Sequence, residues 1–104
     1  MRFGLFAKLV ARPGQSDAVA ALLLRGVEEI REIGCELYVV NTSPDHPDAI
    51  YVMEVWTSKE AHHGSLQLPA VKEAIAQAMP LLTGEFESTR LDVAGGLGLS
   101  IQPA

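Results

Sequence analysis

Residues 49–60 read Ala49-Ile50-Tyr51-Val52-Met53-Glu54-Val55-Trp56-Thr57-Ser58-Lys59-Glu60. A period of two puts Ile50, Val52 and Trp56 on one side of a strand, with Glu54 among them. Tyr51, Met53 and Val55 fall on the other side. Both sides are therefore largely apolar. A sheet with water on one face alternates apolar with polar residues, so this strand is expected to be covered on both faces. Thr57 and Ser58 are both N-cap types, and Thr57-x-x-Glu60 fits a capping box, so a short helix should follow at once.

The neighbouring segments extend the pattern. Cys35 to Asn41 is a second β-rich run, joined to Ala49–Trp56 by Thr42-Ser43-Pro44-Asp45-His46-Pro47-Asp48, a loop by composition. Upstream, Phe3, Leu5, Ala7 and Leu9 alternate with Arg2, Gly4, Phe6, Lys8 and Val10, again a strand, and Pro13-Gly14 breaks it. From Gln15 or Ser16 the period becomes helical, with Val19, Leu22, Leu23, Gly26, Ile30 and Ile33 on one stripe. Arg25/Glu29 and Glu28/Arg31 are spaced for side-chain pairing on the other face, and Gly34 supplies the stop. Gly64 and Pro69 bracket the end of the helix that begins near Thr57. Pro69 opens another, with Val71, Ala74, Ile75 and Ala78 on one face and Pro80 at its end. Glu85 to Val93 is a fourth strand with one plainly polar face.

The order β-α-β-β-α-β is the ferredoxin-like arrangement, an α+β fold with a four-stranded antiparallel sheet and its helices on one face. Residues 1–93 form this domain and 94–104 a glycine-rich tail. The apolar residues on the far side of the sheet then need a cover. An identical subunit pairing through that open face, in a homodimer, is the simplest one. The alternative is the tail, through Leu97, Leu99 and Ile101, and both hold if the tail crosses to the partner.

Composition supports this. The chain has 104 residues, of which 48% are hydrophobic and only 20% charged, with a mean hydropathy of +0.18. A protein of 11.2 kDa folds to a surface of roughly 5,700 Å² and buries about 65% of its unfolded area, enough for one core. That apolar fraction is high for a small monomer. Eight basic residues against thirteen acidic ones leave a net charge of −5, which disfavours binding a nucleic-acid backbone or an anionic membrane. No segment reads as membrane-spanning or as a cleavable leader, and the chain is expected to be soluble and cytoplasmic. Its single cysteine, Cys35, forms no disulfide framework and suits a β-strand core position.

Chemistry is less legible. Gly95-Gly96-Leu97-Gly98 lacks a following helix and so cannot be a nucleotide loop. His46, between Asp45 and Asp48 and flanked by prolines, reads as a solvated turn and not as a metal ligand. His62 and His63 are adjacent on a short helix, point about 100° apart and cannot share a metal, so one should face inward and one outward. The inward ring is the candidate catalytic residue, a hydrogen-bond donor or base near neutral pH. Trp56 ends the strand next to that helix, and if buried its indole N–H needs a partner. Tyr51 and Met53 are, with Trp56, the candidate substrate-binding walls.

The stretch from Ile50 to Leu82 resembles the antibiotic biosynthesis monooxygenase (ABM) superfamily of dimeric α+β barrels. Its most recognisable feature is Glu54-x-Trp56-x-Ser58-x-Glu60-Ala61, and Arg12-Pro13-Gly14-Gln15 and Gly34-Cys35-x-x-Tyr38 stand in the family's order. The resemblance implies oxygenation of a quinol or aromatic polyketide with no metal, flavin or other cofactor. It also implies a homodimer. Two departures matter. Where the quinol-oxidising type has His-Leu-x-x-Pro-His, this chain has Ser65-Leu66-Gln67-Leu68-Pro69-Ala70. Where the haem-degrading branch has asparagine, tryptophan and histidine, it has Ala7, Ser65 and, approximately, Ile75, which disfavours haem degradation. The resemblance thus leaves two expectations, a monooxygenase of phenolic substrates and a non-catalytic dimer that binds a small ligand.

Overall fold

The computed structural model describes residues 2–99. The chain runs β1 (Arg2–Ala11), α1 (Ser16–Leu23), α2 (Val27–Glu32), β2 (Cys35–Thr42), β3 (Ala49–Trp56), α3 (Lys59–Ser65), α4 (Pro69–Ala78), one 3₁₀ turn (Met79–Leu81) and β4 (Leu82–Val93). The four strands form one antiparallel sheet in the order β2-β3-β1-β4, which is the ferredoxin-like topology.

The expected single helix from residue 16 to 33 is in fact two. Gly26 takes the left-handed conformation, at φ 74°, and caps α2. Hydrogen bonds from Leu24 N–H to Ala20 O and Arg25 N–H to Leu22 O close α1, and Ile30 N–H to Gly26 O opens α2. A Cβ at Gly26 would lie 3.3 Å from Ala70 Cβ, so the bend also lets the chain approach α4 closely. The break redirects Arg25, whose Nη1 donates to Gln77 on α4 at 3.0 Å. Of the two expected helical ion pairs, Arg31–Glu28 forms at 3.3 Å.

The second structured cap also differs from expectation. Ser58, not Thr57, caps α3, its hydroxyl accepting from Ala61 N–H at 3.0 Å. Thr57 packs instead against Gly34, where an added Cβ would stand 2.6 Å from Thr57 Oγ1. Gly34 has φ 122°, and its carbonyl accepts from Thr57 N–H at 2.9 Å, so the end of α2 is tied to the end of β3.

Cross-strand register decides which side chains share a face. Leu5 pairs with Glu54, Ala7 with Val52 and Leu9 with Ile50, and these look toward the helices. There Ile50, Val52, Ala11 and Val19 form one buried cluster, and Ile30, Cys35 and Trp56 a second. On the other face Phe6 pairs with Met53, and Met53 with Val39. Phe6 remains 42% exposed, Val39 41% and Leu91 37%, while Phe6 and Tyr51 stack with ring centroids 6.3 Å apart. This is the open apolar face anticipated from β3. In the tail, Leu97 is fully exposed and does not cover the sheet; Ile101 lies outside the described residues. No helix is long and apolar enough to cross a membrane among the described residues.

Candidate active site

A cavity of about 650 Å³ opens between the sheet and the helical layer. Its walls are apolar, from Leu5, Ala7 and Val52 on the sheet and Val71, Ala74 and Ile75 on α4. Met79 and Phe86, 62% and 61% exposed, mark its mouth. The polar groups cluster where the cavity is most buried: Tyr38, Glu54, Trp56 and His62.

Each reaches that point for a local reason. Tyr38 and Glu54 are register partners on β2 and β3, and Trp56 follows Glu54 by two residues, so all three share one face. The Trp56 indole donates from Nε1 to Glu54 Oε1 at 2.9 Å, giving the buried N–H its partner. His62 comes from α3, oriented by the Ser58 cap. Its ring meets Trp56 edge-on at 5.4 Å and Phe3 at 5.3 Å. Nε2 of His62 stands 4.0 Å from the same Glu54 oxygen. Nδ1 of His62 is buried without a hydrogen-bond partner.

Burial shifts every titratable member of the cluster toward its neutral form. It raises the Glu54 carboxyl above its usual 4.5, and the Trp56 hydrogen bond only partly opposes this. It lowers His62 below 6.5, with a smaller contribution from His63. Tyr38 is raised by burial first and by the Glu54 charge second. The His62–Glu54 approach, at 4.0 Å, is therefore no ion pair at neutral pH, because burial favours the uncharged imidazole. It is a neutral imidazole beside a carboxyl group.

The residues singled out from sequence separate into two groups. Trp56 and His62 line the cavity together; His63 is exposed, its ring 5.9 Å from that of His62. Tyr51 and Met53 do not line the cavity: they lie on the opposite sheet face, beside Phe6. Parity along β3 already separated them from Trp56. Cys35 is buried, its thiol pushed up to about 11 chiefly by burial, as suits a core residue. His46 sits in an exposed turn. Glu54 was legible as the one charge in an inward apolar stripe. Tyr38 stood out only as the end of the Gly34-Cys35-x-x-Tyr38 pattern. Among the described residues no three His, Cys, Asp or Glu side chains converge as a metal site would require.

The model of the antibiotic biosynthesis monooxygenase family matches residues 2–77. The chain belongs to the ABM family. A similar solved structure is that of a protein from Chloroflexus aurantiacus J-10-fl, provisionally named an antibiotic biosynthesis monooxygenase. It is 42% identical, with 94% of this chain and 100% of that one covered and a TM-score of 0.79. Rv0793 from Mycobacterium tuberculosis is 24% identical, with 93% and 99% covered and a TM-score of 0.77. A protein from Nitrosomonas europaea, again provisionally named for the family, is only 12% identical over 93% and 91% of the chains, with a TM-score of 0.79. The last two show a shared ABM fold alone. No curated protein matches the sequence. Ala7, Ser65 and Ile75 also line this cavity. The Ser65 hydroxyl is already committed, donating to the His62 carbonyl at 2.6 Å.

Proposed function

We propose that this chain is a cofactor-independent monooxygenase acting on a small phenolic or quinol substrate, as a homodimer paired through the open sheet face. The cavity carries this reading. Its volume, about 650 Å³, lies within the range of roughly 300–1,000 Å³ that ligand pockets occupy. Apolar walls suit an aromatic ring, and one polar cluster suits a single hydroxyl group.

The chemistry follows from that environment. The phenol loses its hydroxyl proton in a pocket poor in water, and the electron-rich anion reduces O₂ directly. One oxygen atom bonds to a ring carbon, the other leaves as water, and the phenol becomes a quinone. The ring supplies every electron, so the step needs no external reductant. His62 is the polar handle and Trp56 a wall. Tyr51 and Met53, on the other face, serve the dimer contact and not the substrate contact.

Oxygen uptake with a panel of hydroquinones, run with a chelator and without flavin, tests the proposal. Turnover is expected in the wild type, and His62→Ala should lower it while the exposed His63→Ala leaves it nearly unchanged. Saturable binding of phenols with no uptake would instead favour a non-catalytic ligand-binding dimer. That second reading rests on Ser65 and Ala70, which stand where the quinol-oxidising type has histidines. A Soret shift on titrating haem would revive the haem reading.

A further inference from the structure

We infer that Glu54, and not a histidine, takes the hydroxyl proton of the bound ligand, while His62 donates a hydrogen bond through Nε2–H. This inference rests on the reading of the cavity as a phenol site.

The two nitrogens of His62 are not equivalent. Nδ1 is sealed in protein with no partner, whereas Nε2 points toward the Glu54 carboxylate and the cavity. A proton on Nε2 faces the Glu54 carboxylate, an acceptor, whereas a proton on Nδ1 would be an unpaired buried donor. The neutral ring therefore carries its proton on Nε2, which makes it a donor to the cavity. To act as a base it would have to take a second proton at the sealed Nδ1, or first move its Nε2 proton there so that Nε2 could accept. Neither is favourable.

Glu54 has the opposite character. Oε1 is taken by the Trp56 indole, and the second oxygen has no hydrogen bond among the described residues, so it is free to accept. The groups facing it are Tyr38 and Cys35 from β2 and His62 from α3, while β1 contributes Leu5 and α4 only apolar side chains. Arg25 and Glu85 line the outer cavity. No cation contacts the carboxylate among the described residues, so nothing fixes its negative charge. Burial, which raises its affinity for a proton, brings a carboxylate closer to the range where a general base works best at neutral pH. The proton passes from the phenol oxygen to the free Glu54 oxygen. This leaves a phenolate beside a neutral carboxyl group, with the Tyr38 hydroxyl and His62 Nε2–H as donors to the anion. The total charge in the cavity does not change.

4-Nitrophenol tests this directly, because its absorption distinguishes phenol from phenolate, and the lone tryptophan, Trp56, reports binding by fluorescence quenching. With the full-length protein slightly below the probe's own ionisation pH, the bound probe should show the phenolate band. In Glu54→Gln, whose amide oxygen can still accept from Trp56, the probe should bind as neutral phenol; Glu54→Asp should restore part of the phenolate band. His62→Phe should weaken binding but keep the phenolate band. Hydroquinone turnover in Glu54→Gln should fall by about a hundredfold or more, and the acid limb of its pH profile should vanish. If Glu54→Gln keeps the phenolate band while His62→Phe loses it, His62 is the acceptor and the inference fails although the phenol site stands. If the probe does not bind the wild type at all, the phenol reading falls and takes this inference with it.

Discussion

The indole of Trp56 donates to Glu54 Oε1 at 2.9 Å from two residues further along the same strand. A hydrogen bond to a charged acceptor contributes about 1.5–3 kcal/mol, but burial still holds the carboxyl above its usual pKa. Trp56→Phe removes the donor and leaves a cavity. The expected cost is about 3 kcal/mol or more at pH 7, with part of it recovered at pH 4, where the carboxyl is protonated and needs less compensation. Urea unfolding followed by circular dichroism at both pH values measures this. An equal loss at the two would mean that the indole does not compensate a charge.

Glu54 also predicts how stability depends on pH. Its folded pKa lies above 4.5, so between the unfolded and folded values the native state binds more protons, and stability falls as pH rises through that window. His62 acts oppositely: its folded pKa lies below 6.5, so stability rises with pH just below 6.5 and is fully present above it. Glu54→Gln removes the first effect only. Plotted against pH, the variant's stability relative to wild type should climb from pH 4 to neutrality; a flat difference would contradict a raised carboxyl pKa.

Phe6, 42% exposed, sits on the open face beside Met53 and Tyr51. Phe6→Glu places a charge where the proposed twofold contact is apolar. At micromolar concentration light scattering should give twice the chain mass for the wild type and the chain mass for Phe6→Glu, with the far-ultraviolet spectrum retained. A wild type that scatters as a monomer would refute pairing through this face.

Two glycines should respond in opposite directions. Gly34 has φ 122° and its missing Cβ would meet Thr57 Oγ1 at 2.6 Å, whereas nothing lies within 4 Å at Gly64 inside α3. Gly34→Ala should cost roughly 1–3 kcal/mol through backbone strain and the clash. Gly64→Ala should stabilise by about 0.5–1 kcal/mol. Thermal melts of the two variants decide it.

Much of the fold was legible because the signals are short-range. Period two in residues 49–56, the Pro69 start of α4 and the polar loop after β2 each reflect rules that act within a few residues. The break at Gly26 was not legible. Glycine can sit in a helical stripe as well as in a left-handed turn, and the residue that closely approaches this turn, Ala70, lies far along the chain. The site was half legible. Parity placed Glu54 beside Trp56 on the inward face and Tyr51 and Met53 on the other, outside the cavity.

The sequence by itself determined the succession of strands and helical regions, the two-faced apolar sheet and the acidic balance, since composition and periodicity specify these without reference to distant residues. Only the tertiary structure decided that His62 rather than His63 turns inward, that Tyr38 stands across from Glu54 and that the two meet His62 in one cavity. Those encounters depend on strand register and on how α3 docks against β3. The energies that set them arise between segments remote in the chain, and no local pattern records them.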